Sequence, residues 1–136
     1  MIQGGCRPHR PATSRRAAIL GGAALGVVLT FKWLRPHRVV VAGASMRPTL
    51  WAGDRLLVVR TGPVKAGDVV ALRDPRDPER VIVKRVVAVR RGEVIVRGDN
   101  PRASIDSRSF GPVRNGAVLG KVVRRYAPAD RAGPVH

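Results

Sequence analysis

From Arg38 onward the chain is built of short runs of β-branched residues cut by glycine and proline, and the stretch RVIVKRVVAVRRGEVIVRGDN at 80–100 is the longest. Runs of this kind suit a pleated, half-buried strand, and none of the intervals between them carries a helical period. The expected strands are 38–42, 55–60, 68–73, 80–90, 93–97 and 117–125. RRGE joins the fourth to the fifth as a hairpin, while GPVKAGD and RDPRDPE read as turns. The predicted fold is mainly β, a small antiparallel β barrel or sandwich. With 136 residues there is room for one compact domain and short appendages.

The amino-terminal part differs in kind. Residues 1–16 are polar, basic and interrupted by proline, and read as a tail. Residues 17–31 are uncharged, and counting to Leu34 with Lys32 reaching back to water gives a helix of ~27 Å against ~30 Å of hydrocarbon core. A single transmembrane helix over 17–34 is the expectation, with Trp33 at the interface and Pro36 ending it. A cleaved leader would have to be cut near the AGA at 42–44, removing a strand, and a buried helix would show little amphipathic face. Four arginines precede the segment while Lys32, Arg35 and Arg38 follow, a bias towards a cytoplasmic amino terminus. The expected division is therefore tail 1–16, transmembrane helix 17–34, β domain 35–126 and flexible tail 127–136.

Composition narrows the chemistry. The chain has 26 Lys and Arg against nine Asp and Glu, a formal charge of +17. Such an excess attracts nucleic acid, anionic lipid or acidic substrates without choosing among them. With few aromatic residues, a stacking platform for single-stranded nucleic acid is not expected. One cysteine rules out an internal disulfide, and three histidines outside the patterned segments leave no base for a Ser-His-Asp triad and no ligand cluster for zinc.

The stretch GASMRPTL at 43–50 then raises a question, because Ser45 sits in a turn between two strands. A serine hydroxyl needs a base to become a nucleophile, and arginine does not deprotonate. Only four cations are lysines, at 32, 65, 84 and 121. Lys65 falls in a turn and Lys32 at the membrane edge. Lys84 shares a strand face with Ile82, Val86 and Ala88, where an apolar surrounding would disfavour its charge. Lys121 shares one with Leu119 and Val123, so periodicity leaves both candidates open. The loop 97–113, RGDNPRASIDSRSFGPV, is rich in acceptors, and Asp106 and Arg108 are able to pair.

Ser45-Met46-x-Pro48-Thr49-Leu50, Gly67-Asp68-Val69-Val70, Lys84-Arg85-Val86-Val87 and Gly98-Asp99-Asn100 with Ser104, Asp106-Ser107-Arg108 and Gly111 follow in this order. Together they resemble the motif set of type I signal peptidases, membrane-tethered Ser-Lys endopeptidases, over residues 17 to 125. The resemblance implies Ser45 as nucleophile and Lys84 as general base, with Ser104 orienting the lysine and Asp106 and Arg108 bracing the site. It implies a site that needs no metal or nucleotide. Some members carry a serine two residues before the nucleophile as an oxyanion donor, and Gly43 stands there in this chain. Only Arg90, Arg91 and Gly92 intervene where many members insert a further β region, so this is a compact form.

The implied activity is removal of signal peptides, with small residues at the first and third positions before the cut, from exported precursors. Its implied place is the plasma membrane, with the catalytic domain on the outer face and phospholipid beside it. Alternatives are a protease dedicated to one client such as a metalloenzyme precursor, an autoprotease of the LexA type, and a non-catalytic basic membrane-bound module. The sequence does not set the oligomeric state.

Overall fold

The computed structural model describes residues 36–136; the expected tail 1–16 and transmembrane helix 17–34 lie outside them. The architecture is mainly antiparallel β. Strands β1 (His37–Val40), β2 (Arg55–Val59), β3 (Val69–Asp74), β4 (Asp77–Arg90), β5 (Glu93–Arg97), β6 (Val113–Arg114), β7 (Val118–Ala127) and β8 (Gly133–Pro134) form one sheet. Its order is β1-β2-β7-β3-β4-β5-β6, with β8 on β7, and every pairing is antiparallel. Among the described residues no helix is long and apolar enough to cross a membrane.

Strand β3 shows how so small a chain builds its core. Its residues alternate between two apolar clusters: Val69 and Ala71 join Leu56, Val58 and Val122 on one side, while Val70 and Leu72 join Val86, Val94 and Val96 on the other. A strand buried on both faces reads as a continuous apolar run, which VVAL does. Leu56 and Val58 are fully buried in β2, whereas Arg55 alternates outward. Each such aliphatic side chain contributes about 1.5–3 kcal/mol by leaving water.

The turns follow local chemistry. β4 and β5 meet through Arg91 and Gly92, both at positive φ (48° and 80°), the backbone that a two-residue hairpin of right-handed twist requires. Where RDPRDPE reads as one long turn, β3 and β4 instead extend to Asp74 and Asp77, leaving Pro75 and Arg76 as the connection. A bulge between Val86 and Ala88 pairs Ala88 with Ile95 and Val89 with Val94. Ala88 therefore leaves the face of Lys84 that strict alternation assigns it, because the extra residue shifts the phase by one.

The last ten residues also depart from expectation. Rather than forming a flexible tail, they carry β8, which pairs Gly133 with Arg125 and Pro134 with Arg124. Arg131 forms an ion pair with Asp54 at 3.0 Å, and Val135 packs on the first cluster. Polar composition hides these anchors, since each depends on a partner distant in sequence.

Candidate active site

The turn that carries Ser45 is held from below by its own neighbours. Met46 and Leu50 are fully buried in the first cluster, and Leu50 N–H donates to the Met46 carbonyl at 2.8 Å. With its flanks anchored, Ser45 is left half-buried at the surface of the core. It lines a cavity of about 220 Å³ together with Gly43, Lys84, Ile82 and Ile105. Ser45 and Lys84, 39 positions apart, thus face one space, formed where the end of β1 approaches β4.

Lys84 is only 3% exposed, and it meets a polar chain rather than a counter-ion. Its amine donates to Ser104 Oγ at 3.0 Å, and the Ser104 hydroxyl donates to Asp106 Oδ2 at 2.7 Å. Because the single Ser104 proton is committed to the carboxylate, Ser104 can only accept from Lys84. A neutral Lys84 therefore keeps its lone pair pointed away from Ser104, towards the remaining open side. Burial pushes the Lys84 amine below its ordinary value of 10.5; the charge of Asp106 opposes this, and Arg76 and Arg80 reinforce it.

Asp106 is fully buried and receives donors from Arg108 Nε, Nη2 and N, from Gly98 N and from Ser104. The Arg108 bonds, then the others, hold its carboxyl far below the usual carboxylate range. Its stabilising contribution is present above the ordinary carboxylate pKa of 3.8 and is lost as pH falls below it. Asp106 also caps the short helix α1 (Ser107–Phe110), which ends at Gly111. One residue thus fixes the loop and the polarity of Ser104.

Glycine at 98 is a steric requirement. A Cβ there would stand 2.3 Å from Ser104 Oγ and 2.5 Å from the Ser45 carbonyl oxygen, closer than real contacts allow. Gly98 is the point at which the lysine-orienting serine and the Ser45 turn touch. Asn100 clamps that turn twice: its N–H donates to the Ser45 carbonyl at 2.9 Å, and its Nδ2 to that of Ala44 at 3.2 Å.

Asp99 explains why the sequence boxes occur together. It accepts from Thr49 Oγ1 at 2.6 Å and from Arg85 Nε and Nη2 at 2.8 Å each, while Arg85 Nη1 donates to the Gly67 carbonyl at 2.9 Å. Residues from all four motifs meet in this network. Adjacent in β4, Lys84 turns to the cavity and Arg85 to the clamp. A second brace, not anticipated from sequence, comes from buried Asp54, which accepts from Trp51 N and pairs with Arg125 and Arg131. Arg125 also reaches the Thr49 carbonyl. The WAGD spacing at 51–54, an Asp three residues after an amide it can cap, was its one local signal.

Of the other expected residues, Gly43 lies on the cavity wall, with nothing within 4 Å of the position a Cβ would take. Among the described residues the Ser45 N–H is given to no backbone carbonyl. Lys121 is elsewhere, paired with Asp68 at 2.8 Å beside a different cavity. No cluster of three His, Cys, Asp or Glu able to hold a metal occurs among the described residues.

The family model for signal peptidase, peptidase S26, matches residues 14–90 and 88–127. Subunit 1a of the mitochondrial ATP-independent inner membrane protease of Arabidopsis thaliana is 38% identical, over 68% of this chain and 71% of its own. Subunit 2 of the mitochondrial inner membrane protease of Schizosaccharomyces pombe is 35% identical, over 70% and 67% respectively. Its counterpart in Saccharomyces cerevisiae is 32% identical over 79% and 77%.

Proposed function

The chain belongs to the signal peptidase family, peptidase S26, and from that premise we propose that it is a membrane-anchored serine endopeptidase that removes signal peptides through Ser45 and Lys84. The observation that carries this reading is a buried lysine, bonded to Ser104 and lining one cavity with Ser45. In the proposed mechanism neutral Lys84 takes the Ser45 proton as Oγ attacks the scissile carbonyl, and the amine then protonates the departing nitrogen. Water, deprotonated by the same lysine, releases the acyl group. The Ser45 N–H donates to the oxyanion, a contribution of roughly 3 kcal/mol in comparable sites.

Ser104 and Asp106 act on the lysine, and Arg108 on Asp106; Gly43 leaves the position of a second oxyanion donor vacant. An extended substrate adds beside 38–42 and 81–83, with small residues at the first and third positions before the cut. In this reading the fold is a small barrel or sandwich tethered by a transmembrane helix at 17–34. Residues 35–126 are the catalytic domain. In this reading the chain sits in the plasma membrane against phospholipid, and the charge bias across 17–34 supports a cytoplasmic tail at 1–16 with the site on the outer face. The relatives are named for the mitochondrial inner membrane. The substrates are precursors carrying signal peptides.

The test is cleavage of a precursor bearing an Ala-x-Ala site by the full chain in liposomes. Wild type is expected to cut it, while Ser45→Ala and Lys84→Arg lose at least about a thousandfold, since guanidinium cannot serve as base. Near-wild-type turnover by either variant would overturn the assignment.

A further inference from the structure

Two guanidinium groups, Arg76 and Arg80, border the cavity that holds Ser45 and Lys84, and they are not equivalent. Arg76 is spent on Asp74, a buried carboxylate that it grips through Nε at 2.9 Å and Nη2 at 2.6 Å. Arg80 is exposed and pairs with no carboxylate among the described residues. Residues 1–35 contain no Asp or Glu that could supply one. Asp77 and Glu79, its neighbours on β4, are not among the residues that line this cavity, and Asp106 lies behind Lys84 with Arg108 upon it. The cleft therefore carries one uncompensated positive charge beyond the lysine.

Its place along the cleft follows from the cavity wall. Arg80, Ile82 and Lys84 line the same cavity, and four residues of extended chain put Arg80 about 13 Å along β4 from Lys84. A peptide laid parallel to β4 beside 81–83, with its cut bond at Ser45, brings its fourth or fifth residue before the cut alongside Arg80. The remaining wall, including Val40, Ala42, Val81 and Ile105, is apolar and offers nothing else to a charged side chain.

We propose that Arg80 is a specificity residue, selecting extended substrates that carry a carboxylate side chain four or five residues before the bond cut and disfavouring those with a cation there. This rests on the proposed peptidase reading and adds a substrate class to it. Opposite charges at a partly exposed site give a modest, salt-sensitive preference.

The experiment uses three peptides with an Ala-x-Ala site and Glu, Gln or Lys at the fourth and fifth positions before it. Cleavage by the full chain in phosphatidylcholine vesicles gives kcat/KM, and fluorescence anisotropy gives binding to the Ser45→Ala variant. Expected is an order Glu over Gln over Lys, with steps of roughly two- to fivefold. The order should flatten in Arg80→Gln, reverse in Arg80→Glu, and weaken in high salt. Equal kcat/KM for all three, or an order unchanged in Arg80→Gln, overturns charge selection while leaving the peptidase reading intact. The same order in binding with no cleavage by wild type supports charge selection and instead sinks the peptidase reading. An unchanged peptide order with lost affinity of Arg80→Gln for phosphatidylglycerol vesicles also overturns the proposal, assigning the guanidinium to lipid.

Discussion

Lys84 in β4 and Lys121 in β7 occupy stretches that look alike, a lysine among valines in a strand, yet the fold gives them opposite surroundings. Lys121 spans to Asp68 at 2.8 Å with its side chain 22% exposed, an ordinary ion pair near the surface. Lys84 is buried, and Arg108 sits on Asp106, the carboxylate beyond Ser104. Its contact is a serine that can only accept. In the proposed reading, what suits Lys84 to act as a base is the serine it bonds and the carboxylate charge neutralised nearby, neither of which lies in its own strand.

The largest expected effect is on cleavage. Lys84→Ala should lose activity by about a thousandfold or more, whereas Lys121→Ala should stay within about threefold of wild type, both measured as kcat/KM on one precursor. Comparable losses in the two would erase the distinction. Next comes Gly98→Ala. Its methyl must displace Ser104 or the Ser45 carbonyl, so activity should fall by about a hundredfold and thermal stability by about 2 kcal/mol. A variant that melts as wild type and cleaves normally would contradict the close approach.

Ser104→Ala should be milder, lowering kcat by roughly ten- to a hundredfold while KM changes little, because the lysine loses orientation but keeps its amine. A loss confined to KM would point to substrate binding instead. The smallest effect concerns stability. Burial lowers the Lys84 pKa, so the unfolded chain binds more protons than the folded one between the folded value and 10.5. Lys84 consequently costs stability at neutral pH, and that cost fades as pH rises towards 10.5. Lys84→Met should therefore raise stability at pH 7 by about 1 kcal/mol, or ~4–8 °C in Tm, with the gain shrinking at alkaline pH. The matching change at Lys121 removes an ion pair of small worth and should bring no such gain.

Much of this was legible beforehand, for reasons that differ by residue. The strands announce themselves through β-branched runs whose period survives into the structure, and the hairpin at 91–92 through its glycine. The ordered motifs pointed to Ser45, Lys84, Ser104, Asp106 and Arg108, and the structure joins Lys84 to Ser104, Asp106 and Arg108 in one chain of hydrogen bonds. Periodicity alone left Lys84 and Lys121 tied, because alternation reports which face a residue takes but not what covers that face. The bulge after Val86, the anchoring of 127–136 and the Asp54 brace stayed hidden because each is created by pairing across the sheet. The same holds for the steric need at Gly98, which arises only when Ser104 and the Ser45 turn are brought against it.

The most direct test of the central claim is a pH titration of the Lys84 side chain in the full protein, followed through its Cε resonance by NMR. The midpoint should fall below the ordinary 10.5, with kcat/KM rising through that same midpoint as the amine loses its proton. A midpoint at or above 10.5, or activity that ignores the titration, would contradict a neutral lysine acting as the base for Ser45.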